Sequence, residues 1–106
     1  MPKKSTKSSA KRINNSYKNW AEASFKISNP AGVHTRPAAA FVKLAQQFPA
    51  EIKVYKGKQQ ADGKSILNVL ALGIEKGNAI TIKAKGIKAK EALQALGKLI
   101  RLKFYE

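Results

Sequence analysis

Ile80, Ile82 and Ala84 alternate with Thr81, Lys83 and Lys85, and this alternation restricts the fold more than any other feature of the chain. In an extended segment successive side chains point to opposite faces, so the isoleucine face must be covered while the lysine face stays wet. The same period recurs in Phe25-Lys26-Ile27 and in Ile52-Lys53-Val54. After the Lys56-Gly57-Lys58 turn, Gln59 to Asp62 can return as a short strand. Elsewhere the period changes. Ala38, Phe41, Val42, Ala45 and Phe48 recur at threes and fours, as one helical face does, with Pro37 in a tolerated first-turn position and Pro49 as the stop. A short helix is predicted from about Ile66, with Val69 and Leu70 inward and Gly73 at its end. Ala92, Leu93, Leu96, Leu99, Ile100 and Phe104 predict a last helix of about four turns. The order is strand, helix, strand, strand, short helix, strand, helix. This predicts an α/β (α+β) open-faced β-sandwich, a four-stranded antiparallel sheet covered on one face by three helices (βαββαβα).

At 106 residues the chain has room for one such core and not two. Its charge is uneven. Overall it carries +15, and residues 1–19 hold six basic groups, no acid, and little apolar surface beyond Ile13 and Tyr17. That stretch cannot offset its ordering entropy and is expected to be a disordered basic arm, leaving residues 20–106 as the folded domain. The domain is itself basic, with 15 Lys and Arg against 6 Asp and Glu, so anionic partners are favoured. Cysteine is absent and His34 is the single histidine, which excludes disulfides, thiol nucleophiles, zinc knuckles and paired imidazoles. Neither a metal nor a cofactor is expected. No apolar run reaches the roughly 18–20 residues of a membrane span, and no apolar region follows the first lysines as in a signal peptide, so a cytoplasmic location is expected.

Reactive chemistry therefore centres on Val33-His34-Thr35-Arg36-Pro37. His34 follows a glycine turn and sits at a helix start, where backbone N–H groups lack intrahelical partners and the macrodipole is positive. A phosphate there meets ready donors, and the Arg36 guanidinium can take the same oxygens in bidentate fashion. A ring nitrogen with a free lone pair can attack phosphorus and hold the group covalently. A histidine at a helix start is also commonly a plain cap or turn residue. The grouping of Gly32, His34, Arg36 and Pro37 within six positions is what points beyond that. Gly63-Lys64-Ser65 is not a nucleotide-binding loop, because position 58 is lysine where that motif requires glycine.

Gly32 to Val42 (Gly-Val-His-Thr-Arg-Pro-Ala-Ala-Ala-Phe-Val) resembles the active-site segment of the HPr family, the histidine-containing phosphocarriers of bacterial sugar phosphotransferase systems. The likeness runs from about Phe25 to Ile100. Gly63-Lys64-Ser65-Ile66-Leu67 is similar to the family's second landmark, a regulatory serine opening the short helix. The resemblance implies that His34 accepts a phosphoryl group on Nδ1 from phospho-enzyme I, ultimately from phosphoenolpyruvate, and passes it to an enzyme IIA domain. Arg36 would stabilise the phosphoryl oxygens, and the protein would be a carrier rather than a turnover enzyme. It further implies a partner-docking surface, for which Thr35, Lys43, Ile66, Leu67 and Leu70 are candidates; core packing is the competing role for Leu70. Ser65 would be a target of an HPr kinase/phosphatase, beside its ordinary role as N-cap. A monomer suits such a shuttle.

Two other readings belong to different classes. One is a regulatory HPr-like binding protein working through Ser65 or the basic arm instead of sugar uptake. The other is a nucleic-acid module exploiting the charge, which is not expected: no clustered aromatics are found among the basic residues, and no zinc or helix-turn-helix spacing occurs. The arm and the basic surface are the chief departures from the family pattern.

Overall fold

The computed structural model describes residues 20–106, so the expected arm, residues 1–19, lies outside the described residues. The elements run β1 (Trp20–Lys26), α1 (Thr35–Ala45), β2 (Glu51–Lys56), β3 (Gln59–Asp62), α2 (Ile66–Ala71), β4 (Ala79–Lys85) and α3 (Ala89–Arg101), closed by a single turn at Lys103–Tyr105. The four strands form one sheet in the order β1-β4-β2-β3, every neighbouring pair antiparallel. Ile82 of β4 stands between Ala23 and Val54 in register. The inward residues of β2 and β4, namely Ile52, Val54, Ile80, Ile82 and Ala84, are buried, and the lysines between them remain on the open side. The predicted open-faced sandwich is the observed one.

Helix α3 covers β1 and β4, α1 packs beside α3, and α2 leans on α1 and β3. Leu96 and Ala92 have no exposed surface and Ile82 matches them from the sheet. A fully buried leucine or isoleucine contributes about 1.5–3 kcal/mol through removal of apolar area from water. At Gly97 a Cβ would come within 2.9 Å of the Phe25 ring, so the missing side chain is what lets α3 settle closely on β1.

Three boundaries differ from those read in the sequence. Strand β1 begins at Trp20, well before Phe25. Ala21 and Ala23 continue the inward phase of Phe25, but alanine has low strand preference and little apolar contrast. Helix α1 ends at Ala45, before Pro49. Gln47 and Phe48 bond back three residues, to Leu44 and Ala45, tightening the chain ahead of the proline; the residue before a proline is steered away from α geometry. Phe104 is not on α3. The helix stops at Arg101, and Lys103, Phe104 and Tyr105 take positive φ of 54°, 57° and 61°, which turns Phe104 into the core from outside the helix.

The open face also gathers aromatics and lysines that are far apart in sequence. Lys53 and Lys85 lie 5.6 and 5.3 Å from the Trp20 ring centre, and Lys83 lies 4.8 Å from that of Tyr55. The linear sequence hid this cluster. It is nevertheless close to neutral, since Glu22 pairs with Lys83, Glu51 with Lys53, and Asp62 lies opposite Lys53. A phosphate backbone would find little net attraction there.

Candidate functional site

The chain leaves β1 through Asn29-Pro30-Ala31-Gly32 and reaches α1 at His34. Two bonds shape this approach: Gly32 N–H donates to the Asn29 carbonyl, and Val33 N–H donates to the Ile74 carbonyl, both at 2.9 Å. Gly32 has φ +67°, and a Cβ there would meet the Ile74 carbonyl oxygen and lie 2.8 Å from Glu75 Cα. Only glycine can both take this conformation and let the two loops touch.

His34 is the N-cap of α1 in extended geometry, and its side chain makes no capping hydrogen bond. Its carbonyl accepts the first helical bond from Ala38 N–H at 2.9 Å. Because Pro37 has no N–H, the amides free of helical acceptors at this end are those of His34, Thr35 and Arg36. The imidazole is 44% exposed, enough for another protein to reach it. Arg36 and Thr35 are exposed, as is Lys43 two turns along the helix. A short stretch of chain thus sets an accessible imidazole at a helix start with unpaired amides, two positions before a guanidinium that has no salt bridge among the described residues, an arrangement suited to an anion bonded to the ring.

One neighbour was not legible in the sequence. Glu106 Oε2 lies 3.0 Å from His34 Nε2, with the glutamate side chain 24% exposed. Its other oxygen, Oε1, accepts from Asn29 Nδ2 at 2.9 Å, and the same Nδ2 donates to the Lys103 carbonyl at 2.9 Å. Asn29 is 2% exposed, and its Oδ1 has no hydrogen-bond partner. Neither Asn29 nor Glu106 stood out in the sequence, because nothing local links positions so far apart.

Ser65 is where the sequence put it, at the N-cap of α2, with its hydroxyl accepting from Asn68 N–H at 3.3 Å. It is not beside His34. Gln46, past the end of α1, donates to the Lys64 carbonyl, whereas Val33, before its start, bonds Ile74 beyond α2. The two helices therefore run in opposite directions, and Ser65 is separated from His34 by about the length of α1, roughly 16 Å for eleven residues. Of the other candidates, Leu67 is 75% exposed, while Ile66 and Leu70 are half-buried against the core. Lys56 Nζ donates to the carbonyls of Leu72 and Gly73, placing a cation at the end of α2 that favours one.

Among the described residues no three His, Cys, Asp or Glu side chains gather where they could hold a metal ion. No helix among them is long and apolar enough to cross a membrane.

The chain is similar to known proteins over most of the described residues, from β1 to the end of α3. The family described as "PTS HPr component phosphorylation site" matches residues 21–101. Phosphocarrier protein HPr of Vibrio cholerae is 44% identical over 75 residues, 71% of this chain and 88% of that protein. A multiphosphoryl transfer protein of Xanthomonas campestris is 41% identical over 70 residues, 66% of this chain and 8% of that much longer protein. Among solved structures, an HPr from Thermoanaerobacter tengcongensis superposes with a TM-score of 0.78 at 40% identity, covering 80% of this chain and 96% of that one.

Proposed function

The chain belongs to the HPr family of phosphotransferase-system phosphocarriers, and from that membership we propose that His34 is its phosphoryl acceptor, loaded by phospho-enzyme I and unloaded by an enzyme IIA domain. The observation that carries this reading is the placement of His34: an exposed imidazole at the α1 N-cap, beside amides without helical acceptors. Phosphoryl transfer asks chiefly for in-line positioning and charge stabilisation, and those amides with the Arg36 guanidinium supply both. The protein is then a substrate of enzyme I that cycles between two states, a monomeric cytoplasmic shuttle serving sugar uptake. Thr35, Lys43, Leu67 and the exposed parts of Ile66 and Leu70 form the surface on which donor and acceptor dock in turn.

The test is direct. Incubated with phosphoenolpyruvate and enzyme I, the protein takes an acid-labile, base-stable phosphoryl group, and His34→Ala abolishes the label. Labelling that survives His34→Ala overturns the assignment.

Regulation at Ser65 is a second part of the proposal, supported by the N-cap position, where a dianion meets helix amides. With roughly an α1 length between them, a phosphate on Ser65 acts on partner docking over α2 and not by touching His34. An ATP-dependent HPr kinase/phosphatase gives an acid-stable label that Ser65→Ala removes; no such label leaves Ser65 as a cap alone. If the protein took that label but none from enzyme I, the regulatory reading would replace the carrier.

A further inference from the structure

Glu106 lies against the one imidazole of the chain without being part of the local motif that presents it. An ionised carboxylate only accepts hydrogen bonds. At 3.0 Å from Glu106 Oε2, Nε2 must therefore be the protonated nitrogen, and in the neutral ring the lone pair falls to Nδ1. The glutamate is itself held. Asn29 Nδ2 bonds Glu106 Oε1 and the Lys103 carbonyl, while the Asn29 carbonyl accepts from Gly32 in the turn leading to His34. Behind it the chain runs through three consecutive non-glycine residues with positive φ, a conformation unfavourable to L-residues, and the burial of Phe104 keeps it in place. Asn29 is buried with one oxygen unsatisfied, a further sign that its amide nitrogen is committed to this link.

We propose that Glu106, anchored by Asn29, is a positioning residue for phosphoryl transfer, fixing the His34 ring and its proton at Nε2 so that Nδ1 is the nitrogen that bonds phosphorus. The inference rests on the carrier function proposed above. In the loading step the Nδ1 lone pair forms the N–P bond as the phosphorus–donor bond breaks, its electron pair leaving with the donor. The proton stays on Nε2, so the ring becomes cationic, and the Glu106 carboxylate faces that new charge at hydrogen-bond distance. In unloading the acceptor's nucleophile on the enzyme IIA domain bonds phosphorus as the N–P bond breaks, the N–P electrons return to Nδ1, and the ring charge disappears. For a ring that starts neutral, the carboxylate is thus set against the charge that N–P bond formation creates, the same logic by which a buried aspartate orients a catalytic histidine.

The test uses the full chain with Glu106→Gln, Glu106→Ala and Glu106→Asp. In the unphosphorylated protein, at a pH where the ring is neutral, ring ¹⁵N spectra should show His34 held in the Nε2–H form, with Glu106→Ala giving a mixture of tautomers. In loading by phospho-enzyme I, Glu106→Ala and Glu106→Gln should lower kcat about tenfold or more with KM little changed, and Glu106→Asp should recover part of it. Unchanged backbone amide spectra certify each fold, and Glu106→Gln, nearly the same shape, serves if Glu106→Ala is unstable. Wild-type kcat in the variants, or an unaltered tautomer ratio, overturns the positioning role and leaves the carrier function standing. If even the wild type takes no phosphoryl group, the carrier function falls, and the tautomer measurement alone decides whether Glu106 sets the ring.

Discussion

Gly32 shows how much one residue can decide. Its positive φ and the backbone of Ile74 and Glu75 where a side chain would begin leave no tolerated substitute. Gly32→Ala should lower stability by about 2–4 kcal/mol, read from the shift of the urea midpoint, with a parallel fall in phosphoryl acceptance as the turn beneath His34 moves. Arg36 is the opposite case, exposed and free of salt bridges among the described residues. Removing it should leave the urea midpoint nearly unchanged while slowing transfer. The grouping of Gly32, His34, Arg36 and Pro37 was legible in the linear sequence because glycine turns and helix starts are set by near neighbours. Asn29 and Glu106 were not, since their bond joins residues 77 positions apart.

Among the elements, α2 and α3 are built for different ends. The face of α3 against the sheet is continuous, and Leu96→Ala, at a site with no exposure, should cost about 3 kcal/mol by denaturant titration. Short α2 buries Val69 fully but leaves Leu67 75% exposed. Leu67→Ala should change stability by less than about 0.5 kcal/mol, yet weaken binding to enzyme I in an NMR titration if α2 is the docking surface. Ser65→Ala should cost about 0.5–1 kcal/mol through the lost cap, whereas Ser65→Asp retains an acceptor for Asn68 N–H and should cost less. The period-two and period-three-four patterns, with the Lys56-Gly57-Lys58 turn for β3, foretold the four strands and three α-helices. They misplaced the ends where alanines blurred the contrast, in β1, and where a left-handed turn let Phe104 mimic one more helical position.

Across the whole molecule, β1 separates the point where the described residues begin from the loop that leads to His34. The described chain starts at Trp20, paired with Lys85, and the far end of the strand, Lys26 paired with Ala79, leads on to His34. Deleting residues 1–19 lowers the net charge from +15 to +9 and should leave the initial rate of phosphoryl acceptance nearly intact. A large loss of rate would show that the arm takes part in donor docking. The +9 that remains should make association with an acidic partner faster at low salt than at high salt.

What the amino-acid sequence determined alone was the order of elements, the single covered sheet face and the lone imidazole at a glycine-led helix start. Those follow from side-chain periodicity and turn chemistry, which act over a few residues. The tertiary structure alone decided that Glu106, held by Asn29, reaches His34, that Ser65 stands a helix length away, and that Trp20 and Tyr55 lie among lysines balanced by acids. Each of these depends on which distant segments the packing of α1, α3 and the sheet brings into contact, and no local pattern encodes that.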